Sequence, residues 1–420
     1  MIQEEQITLG DIVDVKVVFK DKFVLKPNYV PENIADIKHR NEQIKAYYQF
    51  MKDIFLPKPM APANLFIYGK PGLGKTLLTE FVMKEVFKLA EIRKIDLLII
   101  SVNCAEAETE HSVLQKIVEK FPTPNNEPKK KLGYSTGRHN DYIHYLVDNY
   151  TGIVLIILDE VDKVDVSKTI NRIIRMKSEK SGQFPTIIGI TNDTTIKDTF
   201  APELKSVICE NSLHIPPYDA EQLIDILTLR AKQAFSPGTI EEMVIPLAAA
   251  FAAQEHGDAR RAINLLRVGG EIAESEGASM FLEEHLRRAN SKIDMDQTLE
   301  VIKTLPTQSK ITLFATINIL GRKTTPDMNN IYNLYKVICT EIDLDILSQR
   351  RITDLIDEMS QLGIMEQEIL SKGRHGRVKV ILKVKSKDLV RETLLEDYRL
   401  KALANTNIDT LISPFRRLLI

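Results

Sequence analysis

Apolar positions along the chain follow two rhythms, and the balance between them changes twice. Up to about residue 215, short continuous apolar runs alternate with helical spacing. Leu65-Phe66-Ile67-Tyr68 reads as a strand, Leu77, Phe81, Val82, Val86 and Leu89 mark one helical face, and Leu97-Leu98-Ile99-Ile100 is a second strand. The run Ile153-Val154-Leu155-Ile156-Ile157-Leu158 is wholly apolar and rich in β-branched residues, the pattern of a central parallel strand covered on both faces. Thr186 to Thr191 is a further strand. Helices are predicted from Asn41 to Phe55 and from Glu106 to Lys120, with a polar, proline- and lysine-bearing loop over Pro122 to Lys131. The alternation of strand and helix predicts an α/β unit with a parallel sheet.

Past Pro216-Pro217 the strands stop, and Ala220 to Ala234, Ile240 to Glu255 and Ala259 to Glu276 all read as helices. Near Asp294 the pattern changes again. Ile352, Leu355, Ile356 and Met359 mark one helical face, after which Val378, Val380, Leu382 and Val384 alternate with Lys379, Ile381, Lys383 and Lys385 as a strand. Helices followed by a basic hairpin predict a winged helix. The expected domains are therefore 1–215, 216–296 and 297–420.

Composition narrows the classes. The chain has 420 residues, 44% of them hydrophobic, enough for several true cores, and a formal charge of −2 that gives no whole-chain sign of a nucleic-acid partner. Any such role must rest on local segregation of charge. Three cysteines without C-x-x-C spacing indicate neither a disulfide framework nor a zinc module, and eight histidines show no ligand spacing such as H-E-x-x-H. No leader-like or membrane-spanning apolar run is evident, so a soluble, intracellular protein without a membrane partner is expected.

The chemistry begins where the first strand ends. Gly69-Lys70-Pro71-Gly72-Leu73-Gly74-Lys75-Thr76 fits G-x-x-x-x-G-K-[ST] between a strand and the helix opening at Leu77. Backbone N–H groups must converge on polyphosphate oxygens, which Gly72 and Gly74 permit. Lys75 adds a point charge, Thr76 offers a hydroxyl to Mg²⁺, and the helix start faces the anion. Asp159, after the apolar strand, is placed to hold Mg²⁺, and Glu160 to orient an attacking water. Strand ends of a parallel sheet share one crevice, so Gly69, Asp159 and Asn192 are expected to converge. Asn192 can reach a γ-phosphate or the water, and Arg260 in Gly257-Asp258-Ala259-Arg260 a phosphate. A turn residue and a solvated helix-start arginine are the competing readings.

A second site is indicated near the C-terminus. Between Lys372 and Arg391 eight bases face the single acid Asp388, and Gly373 and Gly376 bracket a turn able to lie along phosphates. Arg350 and Arg351 open the preceding helix. An edge hairpin protected by lysines is the alternative. Two motif matches carry nothing: Gly133-Tyr134-Ser135-Thr136-Gly137 fits G-x-S-x-G but follows a polar loop and is expected to be loop, and the sequon at Asn192 lacks a secretory context.

Taken together, these residues resemble the AAA+ replication initiators of archaea, relatives of the eukaryotic origin recognition complex and its helicase-loading partner. The resemblance covers nearly the whole chain and rests on Tyr29-Val30-Pro31-Glu32, His39-Arg40, Asn64, Tyr68-Gly69, Val102-Asn103-Cys104, Asp159-Glu160-Val161-Asp162-Lys163, Pro216-Pro217-Tyr218-Asp219, Gly257-Asp258-Ala259-Arg260 and Gly373-Arg374-His375-Gly376-Arg377. It implies a P-loop AAA+ base, an all-α lid and a C-terminal winged helix. ATP or ADP with Mg²⁺ would be held by Tyr29, Val30, Arg40, Tyr218 and the residues from Pro71 to Leu77, with sensor roles for Asn192 and Arg260. Arg350, Arg351, Arg374, Arg377 and Lys379 would bind DNA, as would a helical insertion near Ala105 to Glu119.

The function so implied is that of a slow, switch-like ATPase in the cytoplasm, associated with the nucleoid, which binds double-stranded origin DNA, self-associates there and helps load an MCM-like replicative helicase. One departure stands out. Where similar initiators carry an arginine after the first sensor, this chain has Ala201-Pro202-Glu203-Leu204-Lys205, which puts an arginine finger in question. The rival reading is a regulatory signalling ATPase whose winged helix is a packing module without DNA binding.

Overall fold

The computed structural model describes residues 18–27, 29–107, 109–122, 136–165, 167–193, 195, 205, 211–320, 326–371 and 377–403. The chain forms two compact units, Met1–Arg287 and Arg288–Ile420. Arg374, residues 123–131 of the expected loop and residues 201–204 lie outside the described residues.

In the first unit, β1 (Leu65–Tyr68), β2 (Leu97–Asn103), β3 (Ile153–Asp159), β4 (Thr186–Thr191) and β5 (Ser212–His214) form one parallel sheet ordered β2-β3-β4-β1-β5. All seven residues of β3 are buried, as its unbroken apolar run requires, and alternate residues enter different cores. Ile153, Leu155 and Ile157 pack with Leu65, Ile67, helix α1 (Asn41–Met51) and helix α2 (Lys75–Ile92). Val154, Ile156 and Leu158 pack on the opposite face, which also receives the short α3 (Cys104–Ala107), α4 (Glu110–Lys120), α5 (Thr136–Asn149) and α6 (Ser167–Ile173). Thr136 and Gly137, expected to be loop, open α5 instead. That helix buries His139, Asn140, Ile143, Leu146 and Val147 at helical spacing, and this packing outweighs the weak local propensity of its first turn.

Helices α7 (Ala220–Ala234), α8 (Val244–Gln254) and α9 (Ala259–Ser275) complete this unit. Asp219 and Gln222 close a reciprocal cap on α7, so the start of that helix is set by its own sequence. The helix expected from Ile240 begins only at Val244. Residues 239–241 instead pair with Phe281, Phe281 N donating to Thr239 O at 2.7 Å and Glu241 N to Phe281 O at 3.0 Å. The chain ahead of α1 packs on these helices before it reaches the sheet. Phe19 stacks on Phe235 with centroids 4.6 Å apart, and Lys20 N and Asp21 N both donate to Ala234 O.

Helix α10 (Glu283–Thr304) contains the division between units. The second unit then has α11 (Thr307–Leu320), α12 (Met328–Glu341), α13 (Gln349–Gln361), β6 (Met365–Ser371), β7 (Arg377–Val384), α14 (Lys387–Leu395) and α15 (Tyr398–Lys401) around one core. Helix α13 buries Ile352, Leu355, Ile356 and Met359, the stripe read from the sequence. The alternation expected on β7 breaks at Leu382, which is 54% exposed, while Val380, Ile381 and Val384 are buried. A bulge is the cause: Ile381 pairs with Gln367 and Lys383 with Glu366, leaving Leu382 without a partner residue and turned outward. A one-residue bridge between Asp327 and Val380 adds a rudimentary third strand, the layout of a winged helix.

Candidate functional site

The glycine-rich turn joins β1 to α2. Gly72 and Gly74 have φ of 75° and 83°, the left-handed region in which a side chain is strained, and Gly74 is the N-cap of α2. Lys75 is 6% exposed, and its Nζ donates to Gly69 O, Lys70 O and Asn192 Oδ1, each at 2.7 Å. Burial lowers its ammonium pKa to about 8; the acids Asp159, Asp162 and Glu160 oppose this shift, while the charge of Arg260 adds to it. Thr76 Oγ1 donates to Asp159 Oδ2 at 2.8 Å, bringing together two hard oxygen ligands at the end of the turn.

The carboxyl ends of β3 and β4 are tied to each other. Glu160 adopts φ 50°, uncommon for a residue with a Cβ, and its N–H donates to Asp159 Oδ1 at 2.9 Å. Asp162, which the sequence reading gave no separate role, accepts from Thr191 Oγ1 at 2.9 Å and from Asn192 N at 3.2 Å. Asn192 is thus held from behind by one carboxylate while its amide oxygen holds Lys75.

The opposite wall comes from the helices after Pro217. Asp258 caps α9 and packs so close to Gly72 that a Cβ there would lie 1.9 Å from its Oδ1. Arg260 is exposed at the start of α9 and lines the same cavity of about 600 Å³ as Pro71, Gly72, Gly74, Lys75, Thr76, Leu77, Asp159, Glu160 and Asn192. Leu73 is buried beneath the turn. Tyr29, Val30, Arg40 and Tyr218 line the cavity as well. Arg40 is 3% exposed, donates from Nη2 to Leu73 O at 3.2 Å and Pro216 O at 2.8 Å, and stacks on Tyr218 with Cζ 3.7 Å from the ring centroid. Its guanidinium therefore joins the glycine-rich turn to the start of the helical segment. A cradle of left-handed glycines, a buried lysine and paired hydroxyl and carboxylate oxygens fits a nucleotide polyphosphate with Mg²⁺.

Arg230 is among the lining residues that the sequence did not reveal. Arg230 lies on α7 beside Leu227, Ala231 and Ala234, all buried, so it occupies a core position of that helix, and it is itself 5% exposed. An arginine on an apolar stripe was the available signal.

In the second unit, α13 begins at Gln349 with Arg350 and Arg351 exposed. Arg351 Nη1 lies 3.1 Å from Glu358 Oε1, and Lys379 Nζ 2.5 Å from Asp357 Oδ1. Burial pushes the Asp357 carboxyl up, but hydrogen bonds from Lys379 and Gln367, with the Lys379 charge, hold it below its ordinary value. Arg377 opens β7. Two of the expected DNA-binding cations thus already have carboxylate partners. No cluster of three or more histidine, cysteine or acidic ligands that could hold a metal occurs among the described residues, and no helix among them is long and apolar enough to cross a membrane.

Comparison with known proteins places these features. Residues 60–193 match a model of an AAA domain, 224–291 the Cdc6 AAA+ ATPase-type lid domain, and 300–393 the CDC6 C-terminal winged helix domain. The chain is 41% identical over 405 residues to the ORC1-type DNA replication protein 1 of Methanosarcina mazei, covering 94% of each, and 39% identical over 417 residues to the ORC1-type DNA replication protein of Pyrococcus abyssi, covering 97% of this chain and 98% of that protein. The solved structure of the Aeropyrum pernix ORC1 protein in complex with DNA superposes with a TM-score of 0.75 at 32% identity, over 92% of this chain and 99% of that one. With its AAA domain, Cdc6-type lid and C-terminal winged helix, the chain belongs to the family of ORC1-type DNA replication proteins.

Proposed function

We propose that the protein is an ATP-dependent replication initiator that binds duplex origin DNA through its winged helix and uses bound ATP or ADP as a conformational switch. The observation that carries this reading is the convergence of Lys75, Thr76, Asp159, Glu160 and Asn192 from the sheet with Arg260 from the helical segment around one cavity. The functional division is 1–215 for the nucleotide-binding base, 216–296 for the lid and 297–420 for DNA binding.

Lys75 and the N–H groups of the turn bind the polyphosphate. Thr76 and Asp159 hold Mg²⁺, which neutralises phosphate charge when bound. Glu160 orients the attacking water. Asn192, joined to Lys75, and Arg260, on α9, both contact the terminal phosphate, so its loss changes how the lid rests on the base. Hydrolysis is slow and the nucleotide state is long-lived. On DNA, copies self-associate and present a surface to an MCM-like replicative helicase. The protein works in the cytoplasm, on the nucleoid. Support for the DNA role comes from the relatives' names and from the exposed cations on α13.

Binding of the full-length protein to origin duplex across a salt series, with ADP or a non-hydrolysable ATP analogue, tests this reading. The expected result is salt-dependent affinity that differs between the two nucleotides. No DNA binding in either state would overturn it in favour of a packing role for the winged helix.

A further inference from the structure

Two arginine–tyrosine stacks line the cavity, and they are not equivalent. Arg40 rests on Tyr218 and gives Nη2 protons to two backbone carbonyls, with its Nε the nitrogen left unpartnered. Arg230, on α7, rests on Tyr29 with Cζ 4.5 Å from the ring centroid, and its Nη1 is buried without a hydrogen-bond partner. Tyr29, through its charge and a hydrogen bond, and the charge of Asp36 oppose the effect of burial on Arg230, and among the described residues no carboxylate lies within ion-pair distance of it. Leaving one donor of a charged group at 5% exposure without an acceptor is costly. Its Nη1 therefore has room for an acceptor from outside the chain.

The cavity indicates where that acceptor comes from. Arg230 stands one turn of α7 beyond Ile226, and both line the cavity. Its neighbours in the lining include Tyr29, Val30, Ile226 and Ile263, an aromatic and apolar setting suited to a flat ring rather than to phosphates.

Resting on the nucleotide reading above, we propose that Arg230 recognises the nucleobase, donating from Nη1 to an unprotonated ring nitrogen of adenine. Arg230 lines the cavity already, so its guanidinium belongs to the wall that a bound base would meet. Tyr29 keeps the guanidinium plane in place. Because Arg230 lies on the lid and Tyr29 on the segment leading to the base, base recognition also draws these two parts together around the ligand.

The test measures binding rather than turnover, on the full chain. Wild type, Arg230→Met and Arg230→Lys are titrated calorimetrically with Mg-ADP, Mg-tripolyphosphate, 2′-deoxy-ADP and the 1-, 3- and 7-deaza analogues of ADP. A lost charge-assisted hydrogen bond corresponds to about tenfold or more in ADP affinity, so Arg230→Met is expected to weaken ADP by that factor and leave tripolyphosphate unchanged. One deaza analogue should bind wild type about tenfold worse than ADP, yet bind Arg230→Met no worse than ADP does, because the atom and its donor are lost only once. Without ligand, Arg230→Met should melt no lower than wild type, since it removes an unpaired buried charge. Arg230→Lys, which keeps a cation but not the planar fork stacked on Tyr29, covers the case in which the methionine variant fails to fold, and should show reduced coupling to the same ring nitrogen. Equal weakening of ADP and tripolyphosphate, coupling to the ribose hydroxyl alone, or no coupling to any ring nitrogen overturns the inference. Failure of wild type to bind ADP would instead overturn the nucleotide reading.

Discussion

Lys75 Nζ and Asn192 Oδ1 lie 2.7 Å apart, so the lysine of the glycine-rich turn and the residue at the exit of β4 form one hydrogen-bonded unit. Removing the lysine therefore has different consequences from removing Glu160. Lys75→Ala deletes the phosphate charge, and nucleotide affinity is expected to fall roughly 10- to 100-fold or more. Glu160→Gln keeps that charge and removes only the water-orienting carboxylate, so ATP should remain bound while single-turnover hydrolysis slows by roughly 10² to 10⁴. Asn192→Ala should resemble Glu160→Gln in turnover and weaken binding slightly. Filter binding alongside a single-turnover assay separates the three. Equal loss of binding in all of them would show that the roles are wrongly divided.

The same lysine makes nucleotide affinity depend on pH with a definite sign. Its ammonium, lowered to about 8 by burial, is charged below that pH and neutral above it. A phosphate ligand favours the charged form, so ADP affinity should be flat below pH 8 and then fall by up to about tenfold per pH unit. Stability without ligand should respond in the opposite direction. Between pH 8 and ~10.4 the unfolded lysine holds a proton that the folded one has lost, so the contribution of Lys75 to stability rises with pH through that window. Calorimetric titration and urea unfolding from pH 7 to 10, for wild type and Lys75→Met, check both signs. The methionine variant should lose both dependences together.

How much of this was legible in the sequence depended on whether one rhythm acted alone. The central strand Ile153–Asp159 and the buried stripe of Gln349–Gln361 were readable because each is a single unbroken pattern. The nucleotide turn was readable because its chemistry demands particular residues in order. Helix Thr136–Asn149 was not, since it follows a polar stretch of sequence and is fixed by packing against the core below the sheet. Leu382 departs from the alternation because a bulge shifts the register by one residue, and a period of two carries no mark of where it breaks. The stacking of Phe19 on Phe235 joins positions over two hundred residues apart, which no local pattern encodes. Arg230 was legible only as an oddity, a charge on an apolar stripe.

Ion pairs within the winged helix rank its cations. Lys379 must exchange Asp357 for a phosphate when DNA binds, and Arg351 must exchange Glu358, whereas Arg350 is exposed at the helix start. Arg350→Ala is therefore expected to reduce duplex affinity more than Lys379→Ala, with the salt slope falling by about one unit. Asp357→Asn should act the other way, raising affinity several-fold at low salt by releasing the lysine. Fluorescence anisotropy across a salt series checks the order. A larger effect of Lys379→Ala than of Arg350→Ala would mean that Lys379 leaves Asp357 at no cost.

The last prediction concerns the group that one copy of the chain does not supply. Lys75, Thr76, Asp159, Glu160, Asn192 and Arg260 all line a single cavity, so the parts contributed in cis are assembled within one chain. An arginine given in trans by a neighbouring subunit is worth roughly 10³ to 10⁵ in turnover, because it neutralises charge that develops only in the transition state. At the corresponding segment this chain reads Ala201-Pro202-Glu203-Leu204-Lys205; Glu203 has the wrong sign, and Lys205 lacks the bidentate fork of arginine. Purified protein should accordingly hydrolyse ATP slowly at every concentration, with turnover per subunit unchanged when copies are crowded on origin DNA, and should retain ADP through purification. Steady-state ATPase rates over a range of protein concentrations, with and without DNA, provide the measurement. A steep rise in turnover per subunit would show that an arginine elsewhere in the chain completes the neighbour's site. Replacing each exposed arginine in turn would then identify it.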